Sequence, residues 1–267
     1  MPTTYAHYRF GQEVQRALPP EIKKTIENNQ DIFNYGVHGP DILFFHSIVK
    51  RDRVCRLGSH NHSAPFREFM EAALGNFDGS DAARAYLYGF ICHFALDAYC
   101  HGYINTCVRT KGLAHNLIET EFDRFLLERD EKHPVSYKFR KELKPNADMA
   151  KSIAGVYPGV NEKEVGCCLK SMKKVVNTMV CPFFLKRGFI YLVLIISGNY
   201  RKRRGMIMKY RRDSHCRGLN AEIMRLYDKA VPLAVRLIVN FPQILPEYEH
   251  IFNPKISQEK ELDSIDK

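Results

Sequence analysis

The spacing of apolar and polar residues reads as helical along nearly the whole chain. Turn-forming clusters at Pro19-Pro20, Asn28-Asn29, His38-Gly39-Pro40, Gly75-Asn76-Phe77-Asp78-Gly79 and Pro145-Asn146 divide it into segments too long for strands. An all-α fold is predicted. Ser80, followed by Asp81, has the character of an N-cap for a long helix through about Ile104, and Asn161 with Glu164 three positions on predicts a capping box. A further helix is expected over 219–241. Pro232 lies inside it, lacks an N–H and crowds the preceding turn, so a kink or break is predicted there. The polar stretch from Pro254 onward is expected to fray, which leaves residues 1–252 as one helical domain and 253–267 as a tail.

Size supports this reading. A chain of 267 residues that is 45% hydrophobic can bury a substantial core, and with only 16 Gly and 13 Pro it is neither collagen-like nor linker-dominated. Charge is more informative because it is uneven. Net charge is +10, yet residues 1–135 are slightly acidic, with 15 Lys+Arg against 17 Asp+Glu, whereas 170–217 holds 13 basic residues and the single acid Asp213.

The same basic segment contains the most apolar stretch, Met179 to Ile196, interrupted by Lys186-Arg187-Gly188. Its uninterrupted run, Phe189 to Ile196, is far shorter than the ~20 residues of a membrane-spanning helix. Lys170, Lys173 and Lys174 precede it and Arg201-Lys202-Arg203-Arg204 follow. That arrangement suits either a core helix with solvated flanks or peripheral contact of 170–217 with an anionic membrane. No basic stretch followed by an apolar run opens the chain, and the eight cysteines show no CxxC spacing. Reduced thiols and a cytoplasmic location, at most peripheral at the inner membrane surface, are the corresponding expectations.

Candidate chemistry lies in two histidine-rich helices. His93, Asp97 and His101 recur every four residues, with Phe90 and Ile104 on the same side, and His115, Ile118, Glu119 and Phe122 form a second stripe of the same kind. Ionisable groups on core-facing stripes are costly unless something pairs them. A divalent cation does so, because imidazole nitrogens and carboxylate oxygens are zinc ligands and i,i+4 spacing directs two of them to one ion.

His93-x3-Asp97, His101 and His115-x3-Glu119 resemble the zinc-dependent phospholipase C family. The resemblance extends to Tyr5-Ala6-His7, to Gly39 through Phe45, and to Gly58 through His62 with Pro65, covering about residues 1–130. Leu226 through Leu233 looks like the C-terminal part of short, non-secreted bacterial members. The resemblance implies an all-helical fold around two or three Zn2+ ions, or other divalent metals. One ion would be held by Asp41, His62, His93 and Asp97, and a second by His101, His115 and Glu119. Asp97 would bridge to a third with His7. It further implies hydrolysis of a phospholipid or other phosphodiester by a metal-activated water. Asp41 would be both ligand and catalytic base, and diacylglycerol and a phosphorylated head group would be the products. Secreted members begin on a tryptophan that binds the third metal; this chain contains no Trp.

His60 competes with His62, and the resemblance favours the latter, because Pro65 three residues beyond His62 fits the family's pattern. His38 and His46 read as loop or surface residues. Asp123 reads as a surface acid near Arg124, the alternative being a carboxylate that orients a ligand imidazole. Cys92 and Cys100 adjoin candidate ligands in sequence but point ~100° away around the helix, so no Cys–His nucleophile is indicated. No His-Asp dipeptide occurs, which argues against the other common helical phosphohydrolase pattern. Two further functions remain open on the sequence. One is a single-strand nuclease, to which the basic segment would attract a polyanion. The other is a metal-stabilised binding protein without turnover. No protein partner is indicated.

Overall fold

The computed structural model describes residues 4–48 and 51–243, so the polar tail expected from residue 253 lies outside the described residues. Helices succeed one another as α1 (Thr4–Ala17), α2 (Pro20–Asn28), α3 (Gln30–Gly36), α4 (Arg53–Asn61), α5 (Phe66–Gly75), α6 (Asp81–Lys111), α7 (His115–Arg129), α8 (Ala147–Val156), α9 (Glu162–Met179), α10 (Phe184–Ile196), α11 (Tyr200–Arg203) and α12 (Leu219–Val239). Short 3₁₀ turns span Gly39–Phe45, Arg204–Met206 and Ser214–Cys216. No strand occurs among the described residues, and the fold is all-α.

Helix α6 is the axis of the molecule. Ser80 caps it by accepting the Ala83 N–H at 3.2 Å, and Gly112, at φ 64, turns the chain away at the other end. The helix therefore runs to Lys111 rather than ending near Ile104. Apolar residues occur on all its faces, as expected of a helix buried on every side, and α1, α3, α8 and α12 pack around it. Where α3 meets α6 the two backbones touch. A Cβ on Gly89 would lie 2.6 Å from the Phe33 carbonyl oxygen, and one on Gly36 would strike the Tyr86 carbonyl. This approach carries the chain directly from α3 into the 3₁₀ turn that overlies the middle of α6.

The Asn161 capping box forms as predicted, with Asn161 Oδ1 accepting from the Glu164 N–H at 3.0 Å and Glu164 Oε2 from the Asn161 N–H at 2.9 Å. At Pro232 the expected break does not appear. Helix α12 continues from Leu219 to Val239. It buries Leu226, Tyr227, Ala230, Leu233, Ala234 and Leu237, and several large side chains at about 1.5–3 kcal/mol each outweigh the ~3 kcal/mol cost of an interior proline.

Helix α10 differs from the rest. It stands apart from the main core on a small cluster of Cys181, Leu194 and Ile207, and Arg187 secures its first turns by donating to the carbonyls of Cys181 (3.1 Å) and Met208 (2.7 Å). Of the two readings the sequence allowed for this stretch, a core helix is excluded: most of its large apolar side chains face outward. Among the described residues no helix is long and apolar enough to cross a membrane. All eight cysteines are free.

Candidate metal centre

Five segments meet over the middle of α6. The hairpin formed by α6 and α7, turned at Gly112, sets His93, Asp97 and His101 against His115 and Glu119. The 3₁₀ turn Gly39–Phe45 supplies Asp41, the C-terminal end of α4 supplies His62, and α1 supplies His7. Helix α1 is held in register by Asp123 of α7, whose carboxylate accepts the backbone N–H groups of Tyr5 (3.2 Å) and Ala6 (2.8 Å). A carboxylate at a helix N-terminus satisfies otherwise unpaired donors and faces the positive end of the helix dipole. Gly39 permits the closest approach in the site. Its φ of +52 is a left-handed conformation, and a Cβ there would lie 2.6 Å from His93 Cγ.

Asp97 is the hub. Its two oxygens lie 3.3 Å from His7 Nε2, 3.4 Å from His62 Nε2, 3.4 Å from His93 Nε2 and 3.5 Å from His101 Nε2. To one side, His62 Nε2 lies 3.6 Å from Asp41 Oδ1. To the other, Glu119 Oε1 is 3.6 Å from His101 Nε2 and 3.0 Å from His115 Nε2. Four groups of three ligand atoms lie within 4.8 Å of one another: His7–His93–Asp97, Asp41–His62–His93, His62–Asp97–His101 and His101–His115–Glu119. All eight residues singled out from the sequence are thus brought into one cluster. Seven of their side chains are at most 14% exposed, whereas His115, at 36%, reaches the surface.

Burial and charge pull against each other here. Burial alone would raise the Asp97 carboxyl, but the imidazoles of His101, His93, His62 and His7 hold it well below the ordinary carboxylate range. Glu119 is likewise lowered against its burial by His101 and His115. His62 is buried too, yet hydrogen bonding to Asp97 and the charges of Asp41 and Asp97 push it up to about 9, and Asp97 raises His7 in the same way. For His93 burial, helped by the neighbouring His7, His62 and His101, outweighs Asp97 and carries it well below its usual value.

These residues fit divalent cations. With neutral imidazoles, Asp41, Asp97 and Glu119 place three negative charges in the interior, a burden that cations of this charge relieve. All four nitrogen–oxygen separations around Asp97 exceed the 2.9–3.0 Å typical of an N–H···O bond, and Asp41 Oδ1 is buried without a hydrogen-bond partner. Imidazole nitrogens and carboxylate oxygens converging in mixed groups of three make the donor set of a zinc cluster.

Other residues fall where the sequence alone did not place them. His60 is exposed and pairs with Glu68 at 3.1 Å, away from the cluster. His38 lies in the turn between α3 and the 3₁₀ segment, as expected of a loop residue, but it is not at the surface. It is 4% exposed with its ring 6.4 Å from that of His7, and burial with the nearby His7 lowers it to about 3, although it joins none of the four groups. His46 is half-buried and pairs with Asp52 at 2.5 Å. Asp123 is not a surface acid: its 6% exposure follows from its capping of α1, and it orients the backbone that carries His7 rather than a ligand ring. The only sequence signal for that role was its i,i+4 spacing from Glu119. Cys92 and Cys100 are buried, and burial raises both thiols, so neither is poised as a nucleophile.

A comparison with protein families matches residues 6–164 to the model described as zinc dependent phospholipase C. A search of curated proteins and one of solved structures each returned no match. The matched span contains all eight residues of the cluster.

Proposed function

Since the chain belongs to the zinc-dependent phospholipase C family, we propose that it hydrolyses the phosphodiester of a phospholipid, releasing diacylglycerol and a phosphorylated head group. The observation that carries this reading is Asp97 surrounded by four imidazole nitrogens, with Asp41 on one side and Glu119 on the other. Asp41, His62, His93 and Asp97 would hold one ion; His101, His115 and Glu119 would hold another; and His7 with Asp97 would complete a third site. Ions bound there supply an acidified water and positive charge for the attacking and leaving oxygens of a phosphodiester.

The residues themselves have distinct tasks. Asp41, with a buried oxygen not engaged in a hydrogen bond, is the proposed base that takes the proton from the attacking water. His115, at the exposed edge of the cluster, marks where a substrate phosphate enters. Asp123 keeps His7 in reach of Asp97 by fixing the start of α1. The single-domain reading of residues 1–252 is supported as far as residue 243 by α12, which lies beyond the family match yet packs against α1 and α6.

The test is product analysis. Purified protein reconstituted with zinc should release diacylglycerol from phospholipid vesicles, and a chelator should abolish the release. Cleavage of a short single-stranded oligonucleotide in place of lipid would transfer the reading to the nuclease alternative. Tight metal binding without turnover of either substrate would leave a metal-stabilised binding protein.

A further inference from the structure

Among the described residues, helix α10 and its approach carry most of the large apolar side chains that are exposed. Phe183, Phe184, Leu185, Phe189 and Ile196 are between 67% and 77% exposed, and Leu192, Val193 and Ile195 are about half exposed. The helix rests on its small cluster at Leu194 and, through Arg187, on the 206–210 loop, where the guanidinium lies 3.9 Å from the centre of the Tyr210 ring. A contiguous apolar patch of this kind on an otherwise polar surface marks a contact site.

Charge identifies what it contacts. The segment 170–217 has 13 basic residues and a single acid. Its densest part, Arg201 to Arg204, begins five residues beyond the end of α10 and packs against the rim of the metal cluster. Asn116, the neighbour of His115, donates to the Lys202 carbonyl at 2.7 Å; Arg203 donates to the Ile48 carbonyl at 2.9 Å; and Gly205 lies so close to Asn116 that a Cβ there would collide with its amide. Arg201 and Lys202 remain exposed. The outward aromatic and aliphatic side chains, the cations beside them and the most exposed candidate ligand thus belong to one continuous region.

We propose that α10 is a docking element for an anionic phospholipid bilayer: its apolar side chains enter the boundary between head groups and acyl chains while Arg201 and Lys202 meet lipid phosphates, which brings the His115 edge of the cluster to the membrane. A helix with apolar residues on its outer face and cations at its flank is built for this position, and it does not need to span the bilayer. A purely protein partner would account for the apolar face but not for the concentration of cations at its end. The proposal deepens the phospholipid reading and rests on it for its purpose, but it is measured by binding rather than by turnover.

The experiment is co-sedimentation of the full-length protein with vesicles of phosphatidylcholine alone or mixed with an equal part of phosphatidylglycerol. Binding is expected to the mixed vesicles only, and to weaken about tenfold or more between about 0.1 and 0.5 M salt as screening shortens. Phe184→Ser with Phe189→Ser should weaken it at least about tenfold, the loss of two large apolar contacts. Arg201→Gln with Lys202→Gln should weaken binding to the anionic vesicles specifically. Both pairs should retain the wild-type circular dichroism and hydrolyse a short-chain phospholipid, dispersed as monomers, at the wild-type rate. Equal binding to both vesicle types, or binding untouched by both pairs, would overturn the proposal. So would a solution mass showing a dimer that the phenylalanine pair dissociates, since α10 would then face a second copy. Failure to hydrolyse the monomeric lipid alongside intact vesicle binding would count against the hydrolase reading and leave the docking element standing.

Discussion

Replacing Asp97 with Asn removes one charge from the carboxylate that belongs to two of the four candidate metal groups, His7–His93–Asp97 and His62–Asp97–His101, whereas Asp41 and Glu119 each belong to one. The informative quantity is the increment that zinc adds to stability. For a single site with free zinc at 100 to 1,000 times the dissociation constant, binding to the folded chain alone adds about 2.7–4.1 kcal/mol. In a protein of this size each kcal/mol moves the melting temperature by roughly 2–4 °C, so the wild type should melt roughly 5–16 °C higher with zinc than with chelator for each occupied site. Asp97→Asn should remove at least half of that increment and lower the bound zinc measured by elemental analysis. Glu119→Gln, which touches one group only, should remove less. The substitution also has a cost unrelated to metal, because Asp97 raises His7 and His62, and breaking a buried charge pair costs about 3–5 kcal/mol. Comparing each variant with its own chelated form cancels that cost. Differential scanning fluorimetry with and without zinc suffices as the assay. A wild type indifferent to zinc, or an Asp97→Asn increment equal to the wild type's, would refute the assignment of this cluster to metal.

Three further predictions follow from the same geometry. His62→Ala should reduce bound zinc and any phosphodiester hydrolysis by an order of magnitude or more, the usual range for losing a contributor to a metal site, whereas His60→Ala, on the surface beside Glu68, should leave both unchanged. Gly39→Ala should destabilise the fold by about 1–3 kcal/mol, because the new Cβ must share space with the His93 ring at a positive φ, and zinc affinity should fall with it as read by a zinc titration. Asp213 is held at about 2, below its ordinary 3.8, by its hydrogen bond to Lys209, with His215 adding to the effect. A depressed acid stabilises the fold above its ordinary value and loses that contribution as pH falls toward its folded one, so Asp213→Asn should cost on the order of 1 kcal/mol at pH 7, discounted for the half-exposed Lys209, and almost nothing near pH 2 in urea melts at the two pH values.

Local patterns in the sequence determined the helical class, the start of α6 at Ser80 and the capping box at Asn161, because caps and helical periodicity depend on residues only a few positions apart. The same periodicity put His93, Asp97 and His101 on one side of a helix and His115 with Glu119 on another, so the chemical character of the cluster was legible before any fold was known. What decided the rest was contact between distant segments. His38 and Asp123 carry no mark of burial in their neighbourhoods; they are buried because α1 crosses α7 and the Gly39 turn folds over α6. Pro232 reads as a kink or break from its missing N–H and its crowding of the preceding turn, and it is the packing of α12 against α1 and α6 that carries the helix through it. Helix α10 shows the limit most clearly, since an apolar run has the same composition whether it is enclosed or exposed, and only the absence of the main core beneath its outer face among the described residues makes it a surface. Periodicity states which face of a segment is apolar; what that face meets depends on chain elements brought together from far apart in the sequence.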